Sequence, residues 1–183
     1  HCGLVGSEMC IRDRNNNIID ERNSNIQIYI NGSFYLRDDA KISVFDSGFL
    51  LGDGIWEGIR LVKNQWLFID EHIDRLFEGC LAVDITLDLS RDEIKEAILE
   101  TQKINNMTDS AHARVMITRG DKIKPFQQPS LSTSGINFII IMEHSSESPN
   151  SNGIKLVTVP QVRGLPMSPV SYTHLRAHET AMY

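Results

Sequence analysis

Long apolar runs are missing from this 183-residue chain: the longest, Phe138-Ile139-Ile140-Ile141-Met142, is strand-sized, far short of the roughly 18 residues a membrane span needs. No association with a membrane is expected. Basic clusters are missing as well. Lys+Arg 18 against Asp+Glu 24 leave a formal charge of −6, and no dense Lys/Arg face exists to neutralise a phosphate backbone. Nucleic acid is therefore not an expected partner. Proline (6) and glycine (12) are too few for a collagen-like or low-complexity chain. What is present, 41% hydrophobic and 23% charged residues, describes one acidic globular domain, or one domain plus a piece of a second.

Both ends lack any helical or alternating pattern that would join a core. Leu4 to Arg14 and Val170 to Thr180 resemble translated sequencing-adapter read-through, and the reading frame begins at His1, not at Met. We expect residues 1–14 and 170–183 to be non-native and set them aside. The charge of −6 is unaffected, because Arg12, Arg14 and Arg176 balance Glu8, Asp13 and Glu179. Cys2 and Cys10 are removed, which leaves Cys80 alone and no disulfide. Cys80 shares a helical stripe with Ile73, Leu76, Phe77 and Leu81 and reads as a buried core thiol. A lone cysteine suits a reducing compartment, the cytoplasm. His72, His112 and His144 stand far apart without Cys or His at ligand spacing, so no metal site is expected.

Apolar and polar residues alternate from Ile26 to Ile30, and Asn31-Gly32-Ser33 turns into Phe34-Tyr35-Leu36, the pattern of a hairpin. A glycine-rich stretch, Asp46 to Gly54, precedes a second predicted hairpin, Ile55 to Val62 and Trp66 to Ile69. Asp70 is the predicted N-cap of a helix whose apolar stripe runs from Ile73 to Leu81, placing Arg75 away from that stripe. Its plain alternative is a solvated helix face paired with Glu71 or Glu78. Ser90-Arg91-Asp92-Glu93 is a capping box ahead of Ile94, Ala97, Ile98, Thr101 and Ile104, which predicts a helix from Arg91 to Asn105. Strands follow at Ala111 to Thr118 and Ile136 to Met142. Residues 145–153 have linker composition, and Ile154 to Val159 opens another strand. This order predicts an α+β fold with a largely antiparallel sheet and two helices. The expected organisation is a domain at 15–144, a linker at 145–153 and the start of a second domain at 154–169.

Gly52-Asp53-Gly54 lacks the spacing of a dinucleotide fingerprint, and no Gly-Lys-Ser/Thr occurs. The ordered set is more specific: Asp46-Ser47-Gly48-Phe49-Leu50-Leu51-Gly52-Asp53-Gly54-Ile55-Trp56-Glu57-Gly58-Ile59-Arg60, then Glu71-His72-Ile73-Asp74-Arg75-Leu76, then Ile117-Thr118-Arg119-Gly120. Together these resemble the amino-terminal domain of the class IV, pyridoxal-phosphate-dependent aminotransferases, over about Ile26 to Pro166. That family includes branched-chain and D-amino-acid aminotransferases and aminodeoxychorismate lyase.

The resemblance implies pyridoxal 5'-phosphate as cofactor, amino acid and 2-oxo acid as substrates, and a homodimer. It implies that Arg75 holds the cofactor phosphate, for which a guanidinium fork is suited. It places Trp56 and Glu57 on the active-site side of their strand, with a core Trp and an exposed Glu as the plain alternative. His112-Ala113-Arg114 stands where branched-chain members carry Tyr-x-Arg facing the substrate; Arg114 matches and His112 departs. The Arg-x-His trap of D-amino-acid members is absent from Asp121-Lys122-Ile123-Lys124-Pro125-Phe126, where Lys124 is a candidate point charge or a solvated loop lysine. Transamination also needs a Schiff-base lysine. None of Lys41, Lys63, Lys95, Lys103, Lys122, Lys124 and Lys155 matches the family's position, which is expected after Pro169. The reading is an aminotransferase fragment, branched-chain-like in its Trp-Glu-Gly-Ile-Arg run, without a catalytic residue of its own. The rivals are the lyase, on the same scaffold and cofactor, and a non-catalytic small-molecule-binding domain.

Overall fold

The computed structural model describes residues 20–145. The expected linker beyond Ser145, the strand from Ile154 and both adapter-like ends lie outside the described residues.

The first hairpin forms where Asn31-Gly32 predicts it. Strands β1 (Gln27–Ile30) and β2 (Ser33–Leu36) pair in register Ile30↔Ser33. Asn31 and Gly32 take φ of 50° and 87°, the left-handed pair that a two-residue hairpin turn requires. A short helix α1 (Ser47–Leu51) replaces the featureless glycine-rich stretch; Asp46 caps its start and Gly52, at φ 69°, its end. Strand β3 (Gly54–Val62) follows, but its hairpin partner β4 is only Gln65–Trp66, shorter than the predicted Trp66 to Ile69.

Helix α2 (Ile69–Ala82) begins one residue before the predicted cap. Phe68, left-handed at φ 53°, occupies the N-cap without a side-chain bond. Asp70 instead sits in the first turn, beside the positive end of the helix dipole, and accepts from Lys95 Nζ at 2.6 Å. Helix α3 (Arg91–Ile104) carries the predicted capping box in full, Ser90 Oγ accepting from Glu93 N while the Glu93 carboxylate accepts from Ser90 N. Arg91 ties the two helices together, donating to Asp74 at 2.5 Å and lying over the Phe77 ring at 4.3 Å. Strands β5 (Ala111–Thr118) and β6 (Asn137–His144) complete a six-stranded sheet in the order β2-β1-β6-β5-β3-β4, with every pairing antiparallel. This is the expected α+β architecture.

Side-chain alternation divides the sheet into two faces. On one, Ile55, Ile59, Leu61, Ala113, Val115, Ile117, Phe138, Ile140 and Met142 form the core with Ile73, Leu76, Cys80, Ile94 and Ile98 of the helices. Burial pushes the Cys80 thiol up to about 11, as befits an inert core residue. The other face, uncovered by these helices, presents Trp56, Arg60, His112, Arg114, Met116 and Thr118. Among the described residues no helix is long and apolar enough to cross a membrane.

Two substitutions calibrate this packing. Ile98→Ala, at a fully buried site, is expected to destabilise the fold by about 2–5 kcal/mol, and Ser90→Ala, which removes one cap, by about 1 kcal/mol. Urea unfolding of the two variants checks the ranking; equal losses would contradict the core assignment.

Candidate functional site

Glu57 lies mid-strand in β3, in register with Val115 of β5, on the side that faces α2. It is only 5% exposed. An ionised carboxylate at such a place requires donors, and α2 supplies them. Arg75 donates Nε to Oε1 at 2.6 Å and Nη2 to Oε2 at 2.5 Å, a bidentate fork. His72, one turn earlier on the same flank, places Nδ1 2.9 Å from Oε2. Burial alone would raise the pKa of Glu57; the bonds from Arg75 and then His72 outweigh it and hold the carboxyl below the usual carboxylate range.

Arg75 therefore pairs with Glu57 of the sheet, and not merely with solvent on the helix face. Positions 72 and 75 flank the buried stripe of Ile73 and Leu76 at i, i+3 spacing, and a long side chain reaches from that flank to the sheet while its head stays partly wet. The Arg75 side chain is 41% exposed, that of His72 19%. Beyond the pair given to Glu57, a tethered guanidinium on a partly exposed side chain has further N–H groups, a donor type that fits a phosphate dianion.

Trp56 and Glu57 do not line one side of their strand. Consecutive strand residues point to opposite faces, and Glu57 takes the helix side while Trp56 takes the open one. There the Arg114 guanidinium lies over the indole at 4.5 Å, a cation–π contact. Two cavities open on this face. One, about 230 Å³, is apolar and is lined by Trp56, Phe49, Met116 and Ile139 among others. The other, about 320 Å³, is mixed in character and lies where β3, β5 and β6 run out together, bordered by Arg60, Val62, His112 and Glu143 with Leu61 and His144. The structure thus groups Trp56, His112 and Arg114 on the open face and Glu57 with Arg75 on the helix face. Lys124 joins neither group; it is exposed in the loop after β5.

The glycine-rich stretch and the Thr-Arg-Gly motif turn out to fasten one another, which sequence reasoning missed. Asp46 is fully buried; it accepts from Thr118 Oγ1 at 2.5 Å and Asn137 Nδ2 at 2.8 Å. Arg119 clamps Asp53 through Nε at 2.8 Å and Nη2 at 3.1 Å, and donates to the carbonyls of Val83 and Asp84 past the end of α2 at 2.7 Å each. Gly54 passes so close to β5 that an added Cβ would stand 2.7 Å from the Ile117 carbonyl oxygen. The only advance signal was the pairing of two acidic residues in one motif with Thr and Arg in the other.

The family model described as amino-transferase class IV matches residues 54–179. Branched-chain-amino-acid aminotransferase-like protein 1 of Arabidopsis thaliana is 35% identical over 153 residues, 83% of this chain and 28% of that protein. D-alanine aminotransferase of Listeria monocytogenes serotype 1/2a (strain 10403S) is 30% identical over 95 residues, 52% of this chain and 32% of that protein. This chain spans under a third of either relative's length. Among solved structures, a branched-chain amino acid aminotransferase from Escherichia coli superposes with a TM-score of 0.58 over 69% of this chain and 47% of that one, at 26% identity.

Because the folded-state pKa of Glu57 lies below the ordinary 4.5, the stability its charge contributes is fully present above that pH and is lost as pH falls through the lowered value. The stability gap between the wild type and Glu57→Gln is expected to be widest at neutral pH and to narrow in acid. Urea midpoints measured from neutral pH down through the carboxylate range check this; a gap independent of pH would rule out a charged Glu57.

Proposed function

The chain belongs to the class IV aminotransferases, and from that premise we propose that it is the amino-terminal part of a pyridoxal-phosphate-dependent enzyme exchanging an amino group between an amino acid and a 2-oxo acid. The observation that carries the proposal is the Arg75 guanidinium, held by Glu57 through its Nε–Nη2 edge on a side chain that stays partly exposed. Arg75 would hold the phosphate of the cofactor. The cofactor, when bound, supplies an electron sink for the α-carbon of the substrate.

The open face is assigned to the amino or oxo acid. Arg114, steadied on Trp56, would take a carboxylate, and His112, two residues away on the same strand, borders the second cavity with Arg60 and Glu143. The apolar groove next to Trp56 suits a branched aliphatic side chain; this favours a branched-chain substrate over the D-amino acid that a Lys124 contact would suggest. Among the described residues β4 pairs with only the end of the outer side of β3, at Val62 and Leu61, with Leu67 N donating to the Arg60 carbonyl, and we place the route between the two faces along the rest of that edge. The remaining length of the relatives is where we place the catalytic lysine, after Pro169, in a second domain that starts near 154. A homodimer and a cytoplasmic location complete the reading.

Two measurements test it. The 183-residue chain by itself is expected to show no amino-group transfer from a branched-chain amino acid to a 2-oxo acid; turnover would overturn the placement of the lysine elsewhere. In the whole enzyme, Arg75→Ala is expected to weaken pyridoxal 5'-phosphate binding by at least roughly tenfold, the scale of a lost charge-assisted bond, and unchanged binding would remove Arg75 from the phosphate site.

A further inference from the structure

We propose that Glu57 and His72 are positioning residues, which aim the Arg75 guanidinium at the phosphate of the cofactor, and that Glu57 does not touch the substrate. The inference rests on the phosphate role of Arg75 proposed above. Glu57 sits on the helix side of β3, across the sheet from Trp56 and Arg114, and is almost fully buried. Both of its oxygens are occupied by α2: Oε1 by Arg75 Nε, Oε2 by Arg75 Nη2 and by His72.

A guanidinium is planar, so fixing its Nε–Nη2 edge fixes the direction of every other N–H. By covalent geometry the Nη1 side then faces away from Glu57, and that edge, Nη1 with the second N–H of Nη2, is the one that would meet a dianion. His72 adds a third point. Its Nδ1 lies 2.9 Å from Oε2 and 3.4 Å from Arg75 Nη2, so the imidazole braces the carboxylate against rotation about its own terminal bond. An untethered arginine distributes its head over many rotamers, and ordering it on binding would weaken the contact. The carboxylate has an opposing effect, because it neutralises part of the charge that attracts phosphate. Aim and attraction therefore predict opposite signs for the removal of Glu57, and the depressed pKa of its carboxyl keeps both effects in force at neutral pH.

The experiment compares pyridoxal 5'-phosphate with pyridoxal, the same ring without the phosphate, by fluorescence titration of the whole enzyme. The ratio of the two affinities reports the phosphate contact alone, and a general structural defect weakens both ligands without moving it. Glu57→Gln, which keeps shape and loses charge, is expected to lower the ratio roughly tenfold, by analogy with carboxylates that orient metal-binding histidines. His72→Asn is expected to lower it by a smaller factor, and it carries the test if Glu57→Gln does not fold. A ratio that stays constant or rises in these variants, while Arg75→Ala collapses it, overturns the positioning role and leaves the phosphate reading standing. A ratio unmoved by Arg75→Ala overturns the phosphate reading and the positioning role with it.

Discussion

A carboxylate shut inside a protein has to be answered by hydrogen-bond donors, and the rest of this fold is arranged around that demand at Glu57. The donors sit one turn apart on α2, so the helix has one rotation about its axis and one height along β3 at which both reach. With that setting fixed, Ile73, Leu76 and Cys80 fall onto the sheet. Gly79 meets Ile55 so closely that a Cβ there would lie 3.0 Å from the isoleucine Cγ2. Polar pairing and apolar packing thus select the same placement of the helix, which is the consistency expected of a well-specified fold.

A second set of buried polar contacts fastens the end of β3 where the glycine-rich stretch arrives. Asp46 holds Thr118 and Asn137, and Arg119 holds Asp53 together with the carbonyls past the end of α2. Those carbonyls lie just past the negative end of the helix dipole, where a cation is favoured, so the guanidinium stabilises the helix end as well as the loop. The two motifs that look most like a ligand-binding signature are, in this arrangement, the seam joining a strand start, a strand end and a helix end.

Local signals were legible and non-local ones were not. Asn31-Gly32 specifies its turn, and Ser90 with Glu93 specifies a helix start, because each acts within four residues. The buried stripe of α2 followed from its period, and the α+β class from the order of elements. The start of α2 was misread at Asp70, since nothing near Phe68 announces a left-handed cap; the chain there is turned by the short β4 pairing before it. Alternation already required Trp56 and Glu57 to part company, yet which face would receive the helices depends on Arg75 and His72, about fifteen to eighteen residues away. Site residues were named individually from a family pattern. Their division between two faces, and the service of Arg119 to architecture, emerged only with the tertiary contacts.

The parting of Trp56 from Glu57 has an evolutionary side. A sheet works as a partition: its open-face residues can be exchanged while the helix-face set, with its buried charge and close glycine contact, is left undisturbed. A substitution at position 56, 112 or 114 would thereby be insulated from the contacts of Glu57 with the helix. One scaffold can then give rise to enzymes of different appetite without rebuilding its anchor each time.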